Sequence, residues 1–464
     1  MKLGRFRRLN YAIKRSAGNL RELTALASRS VQVIRQEGLG SFLRRATFKI
    51  RMRQFRIVQP ATGTTDHLVG LRDLDFSSQF QRNRALRPTP SATSQTRKFG
   101  VNFAGYFTGQ FGGAASSRAF AKSLELAAVP HVLNKLVGGL HGEKRKTRSA
   151  FSSGSPYAIN LIHVNPPDIA EAFVQSVDGS YLRGRYNIGV WYWELSRLPN
   201  SWISSFGLYD EIWATSSFTA GCLSGVSPIP VVKVRFPLCV NETLIDRRAR
   251  RRFHLEEDVF VFYFLFDFLS LFERKNPLAL LKAFGRAFRR NEKALFLLQH
   301  INSKLASTHA KRLEEESSDL NVRIVKGHLS ERDYLSLLAA CDCYVSLHRS
   351  EGLGLPLAEA MYLGKPVIAT AYSGNMDFMN VNNSLLVKYE LKQLDRDYGP
   401  YEKGNVWAEP DIGHAAELMR WVYENRDEAT KLGERASRDI RESMNLTLAS
   451  REIMERLKLI YERR

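Results

Sequence analysis

The chain has 464 residues and carries 68 lysines and arginines against 47 aspartates and glutamates, a formal net charge of +21 at pH 7. This length exceeds one ordinary core and suits two domains with an appendage, and a composition of 44% hydrophobic and 25% charged residues excludes a disordered or fibrous chain. So large a positive charge indicates an anionic partner. The four cysteines form no CxxC pair, which favours reduced thiols over a disulfide framework or a metal site.

The positive charge is concentrated in the first 56 residues, which hold fifteen basic and two acidic residues. Between Leu20 and Ile57, apolar residues recur at helical spacing with arginines between them. This pattern predicts a basic amphipathic helical arm over residues 1–59 that lies on an anionic membrane face. A solvated arm, an arm docked on a partner or on its own body, and a mitochondrial transit peptide have a similar composition.

Residues 60–97 are rich in proline, serine, threonine and glutamine and predict a linker. Farther along, the longest strongly apolar run, residues 259–266, is much shorter than the roughly 20 residues of a membrane-spanning helix. We therefore predict no transmembrane segment and a cytoplasmic protein, peripheral on the inner face of the membrane through its arm.

From residue 98 onward, short apolar segments alternate with helical patterns, which is typical of a parallel, doubly wound sheet. The first series predicts an N-terminal Rossmann-like domain over residues 98–245. Its predicted strands are residues 99–107, 157–164, 188–193, 211–215 and 231–236, and its clearest helix is residues 115–128.

A second series predicts a C-terminal Rossmann-like domain over residues 246–430, followed by helices over residues 431–464. The predicted strands are residues 259–268, 294–300, 322–326, 344–348 and 367–371, and the predicted helices are residues 277–289, 305–317, 331–340 and 356–363. Two such domains in tandem leave a cleft between the carboxyl ends of their strands, where sheets of this kind bind ligands.

The densest set of candidate binding residues is the sequence SLHRSEGLGLPLAEAM, which begins at residue 346. It predicts a strand, a glycine-bearing turn and a helix. Gly352 and Gly354 allow a ligand to approach the backbone closely, and the N-terminus of the helix offers unpaired N–H groups to an anion or to hydroxyls. Glu351 lies in the turn and Glu359 about one turn into the helix, so both carboxylates can face the cleft.

A second motif is the sequence FDFLSLFERKNP, which ends at Pro277. Asn276 is a predicted N-cap, and Pro277 suits the first turn of the helix that follows. Arg274 and Lys275 would then stand just before a helix N-terminus, next to where a diphosphate could bind. Composition alone favours a pair of solvated cations beside Glu273.

Together these motifs resemble the retaining glycosyltransferases of the GT-B fold, in the large group marked by two glutamates separated by seven residues (glycosyltransferase family 4, also described as glycosyl transferases group 1). Glu351 and Glu359 have this separation, and the GLGLP between them is similar to the family's usual Gly-Phe-Gly-x-Pro. The resemblance covers about residues 98–430. It implies an α/β chain with two Rossmann-like domains facing across a cleft, here behind a basic helical extension.

The resemblance also implies roles for the residues of the donor site. Glu351 would contact hydroxyls of the transferred sugar, and Glu359 would contact the ribose hydroxyls. Arg274 and Lys275 would neutralise the donor diphosphate, so that neither a metal ion nor a general acid is required. Further donor contacts would come from the backbone of Gly352, Leu353, Gly354, Gly112 and Gly113, and the base would lie near residues 325–329.

Two predicted strands of the first domain end in polar candidates. His163 lies at the end of an apolar strand, where a lone histidine is more often a hydrogen-bonded core residue, whereas the resemblance implies a catalytic-site hydrogen bond to the donor sugar. Glu194 follows a Trp-Tyr-Trp sequence whose rings suit the face of an acceptor sugar. The alternative for Glu194 is a capping or salt-bridging carboxylate.

The function implied is transfer of a hexose-type sugar, with retention of configuration, from a nucleotide-diphosphate sugar to a glycan or lipid-linked glycan in the biosynthesis of a surface polysaccharide such as lipopolysaccharide. GDP-mannose is the first donor to test, and UDP-sugars stay open. No cofactor, metal ion or nucleic acid is expected. The alternatives are a glycoside hydrolase, which would also use paired carboxylates, a nucleic-acid or polyanion-binding scaffold that uses the arm, and an inactive relative that only binds sugar nucleotide.

Overall fold

A computed structural model describes residues 97–136, 151–166 and 180–464, which belong to one compact unit. The predicted arm, residues 1–59, and the predicted linker up to residue 96 lie outside the described residues. Within the three described ranges, every helix is too short or too polar to span a bilayer.

The first domain is a six-stranded parallel sheet in the spatial order β2-β1-β3-β4-β5-β6. Its strands are β1 (Lys98–Gly105), β2 (His131–Lys135), β3 (Tyr157–His163), β4 (Tyr186–Val190), β5 (Glu211–Ala214) and β6 (Val231–Lys233). Its α-helices within the described residues are α1 (Gly112–Leu126), α2 (Asn200–Ile203) and α3 (Ser217–Ser224). The five predicted strands are present, and the sequence analysis missed β2, which is short and only partly buried.

The second domain is also a six-stranded parallel sheet, in the order β12-β11-β10-β7-β8-β9. Its strands are β7 (Phe260–Asp267), β8 (Ala294–Ile301), β9 (Val322–Lys326), β10 (Cys343–Ser346), β11 (Val367–Thr370) and β12 (Leu385–Val387). Its helices are α4 (Ala249–Arg252), α5 (Phe272–Lys275), α6 (Pro277–Ala287), α7 (Ser307–Ser317), α8 (Glu331–Ala340) and α9 (Leu355–Tyr362). Strands buried on both faces, such as β7, give the continuous apolar runs by which they were predicted.

An antiparallel hairpin interrupts this pattern between β12 and the helices at the end of the chain. It consists of β13 (Tyr389–Gln393) and β14 (Val406–Pro410), joined by residues 394–405. The sequence analysis did not predict it, because most of β13 is exposed and polar. After the hairpin come α10 (Ile412–Glu424), α11 (Arg426–Ser443) and α12 (Leu446–Glu462), as the helical patterns from residue 410 predicted.

The last helix returns to the first domain. Helix α12 packs on α1 and β3, and the ring of Tyr461 lies 5.4 Å from that of Phe99. Arg456 of α12 forms an ion pair with Glu211, a fully buried residue at the start of β5. Helix α12 therefore ties the end of the second domain to the first sheet.

Candidate functional site

The candidate site lies at the carboxyl ends of β7 and β10, which are neighbours in the second sheet. The chain continues from β7 to β8 on one side and from β10 to β11 on the other, so the strand order reverses between them. Open α/β sheets bind ligands at such a switch point. Helix α5 follows β7, and the glycine turn follows β10, so the two sequence motifs meet here.

Glu351 and the two cations of α5 are in direct contact. The Nη1 atom of Arg274 lies 3.1 Å from Oε2 of Glu351 and also donates to the carbonyl oxygen of Ser350 at 2.9 Å. Lys275 donates through Nζ to the other oxygen of Glu351. The side chains of Arg274 and Lys275 are only 4% and 14% exposed, which rules out the alternative of two solvated surface cations.

Burial and charge act in opposite directions on these three groups. Burial raises the pKa of the Glu351 carboxyl, but the charges of Lys275 and Arg274 outweigh it and lower this pKa to about 2. Burial lowers the pKa of Lys275, and the Glu351 carboxylate offsets this only in part. Burial lowers the pKa of Arg274, but its acidic neighbours outweigh this effect and raise the pKa above the usual value. The site therefore holds a permanent carboxylate between cationic side chains.

The glycine turn leads directly into helix α9. Gly354 takes a left-handed backbone, with φ of 88°, immediately before α9, and Pro356 lies in the first turn of that helix. The carbonyl oxygen of Gly352 accepts hydrogen bonds from Ser216 Oγ at 2.5 Å and Thr219 Oγ1 at 3.3 Å, both from the first domain. The predicted turn and helix are confirmed, and side chains of the opposite domain hold the turn in place.

Asn276 departs from its predicted role. It occupies the residue before α6 but has a left-handed backbone, with φ of 54°, and its side chain caps no N–H group of that helix. The side-chain amide instead donates to the carbonyl oxygen of Leu347 at 3.1 Å. Asn276 therefore fastens the end of α5 to the segment after β10 and so supports the approach of the two motifs.

Glu359 has different partners from Glu351. Its Oε2 atom accepts a hydrogen bond of 2.5 Å from the hydroxyl of Tyr334 on α8. Burial raises the pKa of Glu359 to about 7, although the Tyr334 hydrogen bond and the charge of Arg118 in the first domain act in the opposite direction. The two glutamates of the motif thus stand in contrasting electrostatic surroundings.

The first-domain candidates lie around the start of α1. Gly112 and Gly113 are the first residues of that helix, and the carbonyl oxygen of Gly113 accepts from Ser117 Oγ at 3.1 Å. The same hydroxyl bonds Nδ1 of His163 at 2.7 Å. His163 is 4% exposed and burial lowers its pKa to about 3, so its ring is neutral. The structure thus gives His163 the contacts of a core residue, and its bond to a donor sugar stays a prediction.

The structure places Glu194 beside the second-domain cations. Its Oε2 atom accepts a hydrogen bond from the hydroxyl of Tyr401 at 3.0 Å, and its Oε1 atom lies 3.8 Å from Nη2 of Arg274. Ser350 donates through its hydroxyl to the carbonyl oxygen of Glu194. An acceptor contact by Glu194 stays a prediction, and its salt-bridging alternative is present in the structure.

The site residues that sequence reasoning missed include Tyr334, Tyr401, Ser216 and Thr219. Tyr334 lies in α8, Thr219 lies in α3 and Ser216 is the N-cap of α3, all outside the two motifs. Tyr401 lies in the unpredicted hairpin, so only tertiary packing identifies these residues. Across the described ranges, no three His, Cys, Asp or Glu side chains are grouped to hold a metal ion. The positive charge beside Glu351 is that of Arg274 and Lys275.

The range that contains both motifs can be compared with known families. Residues 263–439 match the family model of glycosyl transferases group 1. This range begins in β7 and ends in α11, so it covers most of the second domain, including Arg274, Lys275, Glu351 and Glu359. None of the curated proteins matches the sequence.

Solved structures extend the likeness to both domains. The Anabaena protein Alr3699/HepE, in complex with UDP and glucose, has a TM-score of 0.58 at 13% identity over 78% of this chain and 100% of its own. Sucrose-phosphate synthase from Thermosynechococcus elongatus has 0.57 at 14% identity, over 79% and 100%. A glycosyltransferase from Rickettsia africae has 0.55 at 15% identity, over 78% and 98%. The described chain therefore has the predicted GT-B fold of two Rossmann-like domains.

Proposed function

We propose that this chain is a retaining glycosyltransferase that moves a hexose-type sugar from a nucleotide-diphosphate sugar to a hydroxyl of a glycan or lipid-linked glycan. The observation that carries the proposal is the contact of Arg274 and Lys275 with Glu351 at the switch point of the second sheet, within the range that matches glycosyl transferases group 1. Transfer from such a donor expels a nucleoside diphosphate, whose charge grows in the transition state. Fixed cations in a largely buried site stabilise that charge.

Each group at the switch point has a task in this reaction. Arg274 and Lys275 bind the diphosphate, and the backbone amides of Gly352, Leu353 and Gly354 line the sugar and phosphates at the N-terminus of α9. Glu351, a carboxylate at any working pH, contacts hydroxyls of the transferred sugar and favours the positive charge that develops at its anomeric carbon. In this scheme protein cations neutralise the leaving group, so no metal ion is needed.

A front-face substitution accounts for retention of configuration. The bond between the anomeric carbon and the phosphate oxygen breaks, and its electron pair leaves with the diphosphate. The acceptor hydroxyl oxygen bonds to the same face of that carbon, and the hydroxyl proton passes to the departing phosphate oxygen. The glycoside hydrolase alternative is disfavoured because a hydrolase has no diphosphate to be bound by Arg274 and Lys275.

Two donors and one class of acceptor are to be tested first. GDP-mannose is the first donor to test, from the motif resemblance, and UDP-glucose is the second, because HepE has been solved with UDP and glucose. A lipid-linked acceptor of surface polysaccharide biosynthesis, at the inner face of the membrane, suits the basic residues of the N-terminal segment.

The test is release of free nucleoside diphosphate from a panel of GDP-, UDP- and dTDP-sugars in the presence of EDTA. We expect release from one donor, reduced about 100-fold or more in Glu351→Gln and in Lys275→Ala. The matched control is Lys282→Ala, which removes an exposed lysine from α6 and leaves the rate unchanged. No release from any donor, together with no thermal shift by GDP, UDP or dTDP, would contradict the proposal and favour the scaffold alternative.

A further inference from the structure

The hairpin of β13 and β14 reaches the candidate site through Tyr401. This residue lies in the connection between the two strands and is 4% exposed. Its ring packs 5.2 Å from that of Trp193 in the first domain, and its hydroxyl donates to Glu194 at 3.0 Å. A phenol buried in this way fixes the carboxylate to which it is bonded.

The two oxygens of Glu194 therefore have unequal surroundings. Oε2 is bonded to Tyr401, whereas Oε1 lies 3.8 Å from Nη2 of Arg274, beyond hydrogen-bond distance. Arg274 meanwhile uses Nη1 for the carbonyl oxygen of Ser350 and for Glu351. Glu194 is thus close enough to attract the guanidinium but is not bonded to it.

We propose that Tyr401 is a positioning residue that holds Glu194 away from Arg274 and so leaves the Nη2 edge of the guanidinium to the diphosphate of the donor. Without the phenol, a carboxylate at this distance in a buried site would close onto the guanidinium in a charge-assisted pair. Arg274 would then be hydrogen-bonded to both Glu194 and Glu351 and would attract an incoming diphosphate less strongly. The proposal rests on the function proposed above.

The hairpin is fastened firmly enough to impose this restraint. The backbone N–H of Ala408 in β14 donates to the carbonyl oxygen of Arg349 at 2.9 Å, and the Arg349 guanidinium pairs with both oxygens of Glu409 at 2.8 and 2.9 Å. On the other side, Asn405 donates to the carbonyl oxygen of Arg197 at 2.9 Å. The loop that carries Tyr401 is thus fixed to chain segments on either side of the Glu194–Arg274 contact.

The experiment is calorimetric titration into four variants and the unaltered chain. GDP, UDP and dTDP are each titrated and compared with the corresponding nucleoside monophosphate. The variants are Tyr401→Phe, Glu194→Gln, the double variant, and Tyr398→Phe, a control in the same loop whose hydroxyl bonds Asp395 at 3.1 Å. We expect Tyr401→Phe to weaken diphosphate binding about tenfold, the size of a charge-assisted hydrogen bond. The same change should leave monophosphate binding within about twofold, because only the diphosphate uses the full cation pair.

The double variant separates positioning from packing. A glutamine at position 194 cannot neutralise Arg274, so in this background the change Tyr401→Phe should have no effect on diphosphate affinity. Equal affinities of Tyr401→Phe and the unaltered chain, or a loss that persists in the double variant, would overturn the positioning role alone. No diphosphate binding by the unaltered chain would overturn the proposed function and this role with it.

Discussion

Two glutamates eight positions apart, Glu351 and Glu359, have pKa values that their surroundings move in opposite directions, to about 2 and about 7. Both are desolvated by burial, which favours the neutral acid. Glu351 contacts two cations that outweigh this effect, whereas Glu359 has only the Tyr334 hydroxyl and the more distant Arg118 to oppose it. Glu351 is therefore always ionised in working conditions, and Glu359 titrates near neutral pH.

This difference predicts a pH-dependent donor affinity. In the proposed role, Glu359 accepts hydrogen bonds from ribose hydroxyls, for which the carboxylate is the better acceptor. Affinity for the sugar nucleotide should therefore rise between about pH 6 and pH 8 and be flat in Glu359→Gln. The Tyr334 hydrogen bond lowers the pKa of Glu359, so its removal in Tyr334→Phe should raise that pKa and move the midpoint to higher pH. Titration calorimetry across this range tests it, and a pH-independent affinity in the unaltered chain would contradict it.

The ionisation of Glu359 affects folding stability in the opposite direction to ligand affinity. The folded chain holds the Glu359 proton more tightly than an unfolded chain does. The free energy of unfolding therefore decreases as the pH rises from the ordinary pKa of a glutamate toward 7. The same carboxyl that favours ligand at higher pH thus opposes folding there.

At the scale of elements, the parts of the site that the sequence predicts are those with their own local signal. The glycines and Pro356 predict the turn and α9, and the continuous apolar run of β7 predicts a buried parallel strand. In strand β13, Tyr389 and Leu391 alternate with polar residues over only four positions, and Leu391 is exposed, so the local pattern is too short to predict the hairpin. The contact of Glu194 with Arg274 needs the two domains to be packed together, and no pattern within either motif encodes it.

Gly374 provides a test of how tightly the turn before α9 is packed. A Cβ atom at this position would lie 2.1 Å from the carbonyl oxygen of Gly352 and 2.8 Å from that of Glu351. We expect Gly374→Ala to lower the free energy of unfolding by about 1–3 kcal/mol, as overpacking does, and to abolish binding of nucleoside diphosphate. Gly221→Ala in α3, where a Cβ meets nothing within 4 Å, is the control and should not destabilise the chain. Chemical denaturation measures both, and equal stability of the two variants would refute the crowding argument.

At the scale of the whole molecule, helix α12 joins the second domain to the first through a buried charge. Glu211 accepts hydrogen bonds from Trp213 Nε1 at 2.7 Å and from the Tyr186 hydroxyl at 3.1 Å, in addition to its pair with Arg456. A fully buried carboxylate needs all of these partners to offset its desolvation. Arg456 therefore contributes more to the packing of α12 on the first sheet than the exposed ion pairs of the same helix do.

We expect Arg456→Met to destabilise the chain by about 3–5 kcal/mol, because the Glu211 charge would stay buried without its cation. Arg451→Met removes an arginine of α12 whose partner, Glu455, is 64% exposed and 3.9 Å away, and should change stability by less than about 1 kcal/mol. Denaturant unfolding of the two variants gives the comparison. A similar loss in both would mean that α12 is held by packing and not by this ion pair.

The hydrogen bonds from Ser216 and Thr219 to the carbonyl oxygen of Gly352 make the turn before α9 a joint product of both domains. A rotation that separates the domains would exchange these two hydrogen bonds for hydrogen bonds to water, at a cost of about 0.5–1.5 kcal/mol for each bond. The conformation of the turn and the opening of the cleft are therefore thermodynamically coupled. Any ligand that binds better to the assembled turn also shifts the domains toward the closed arrangement, and through the same linkage closure raises the affinity for that ligand.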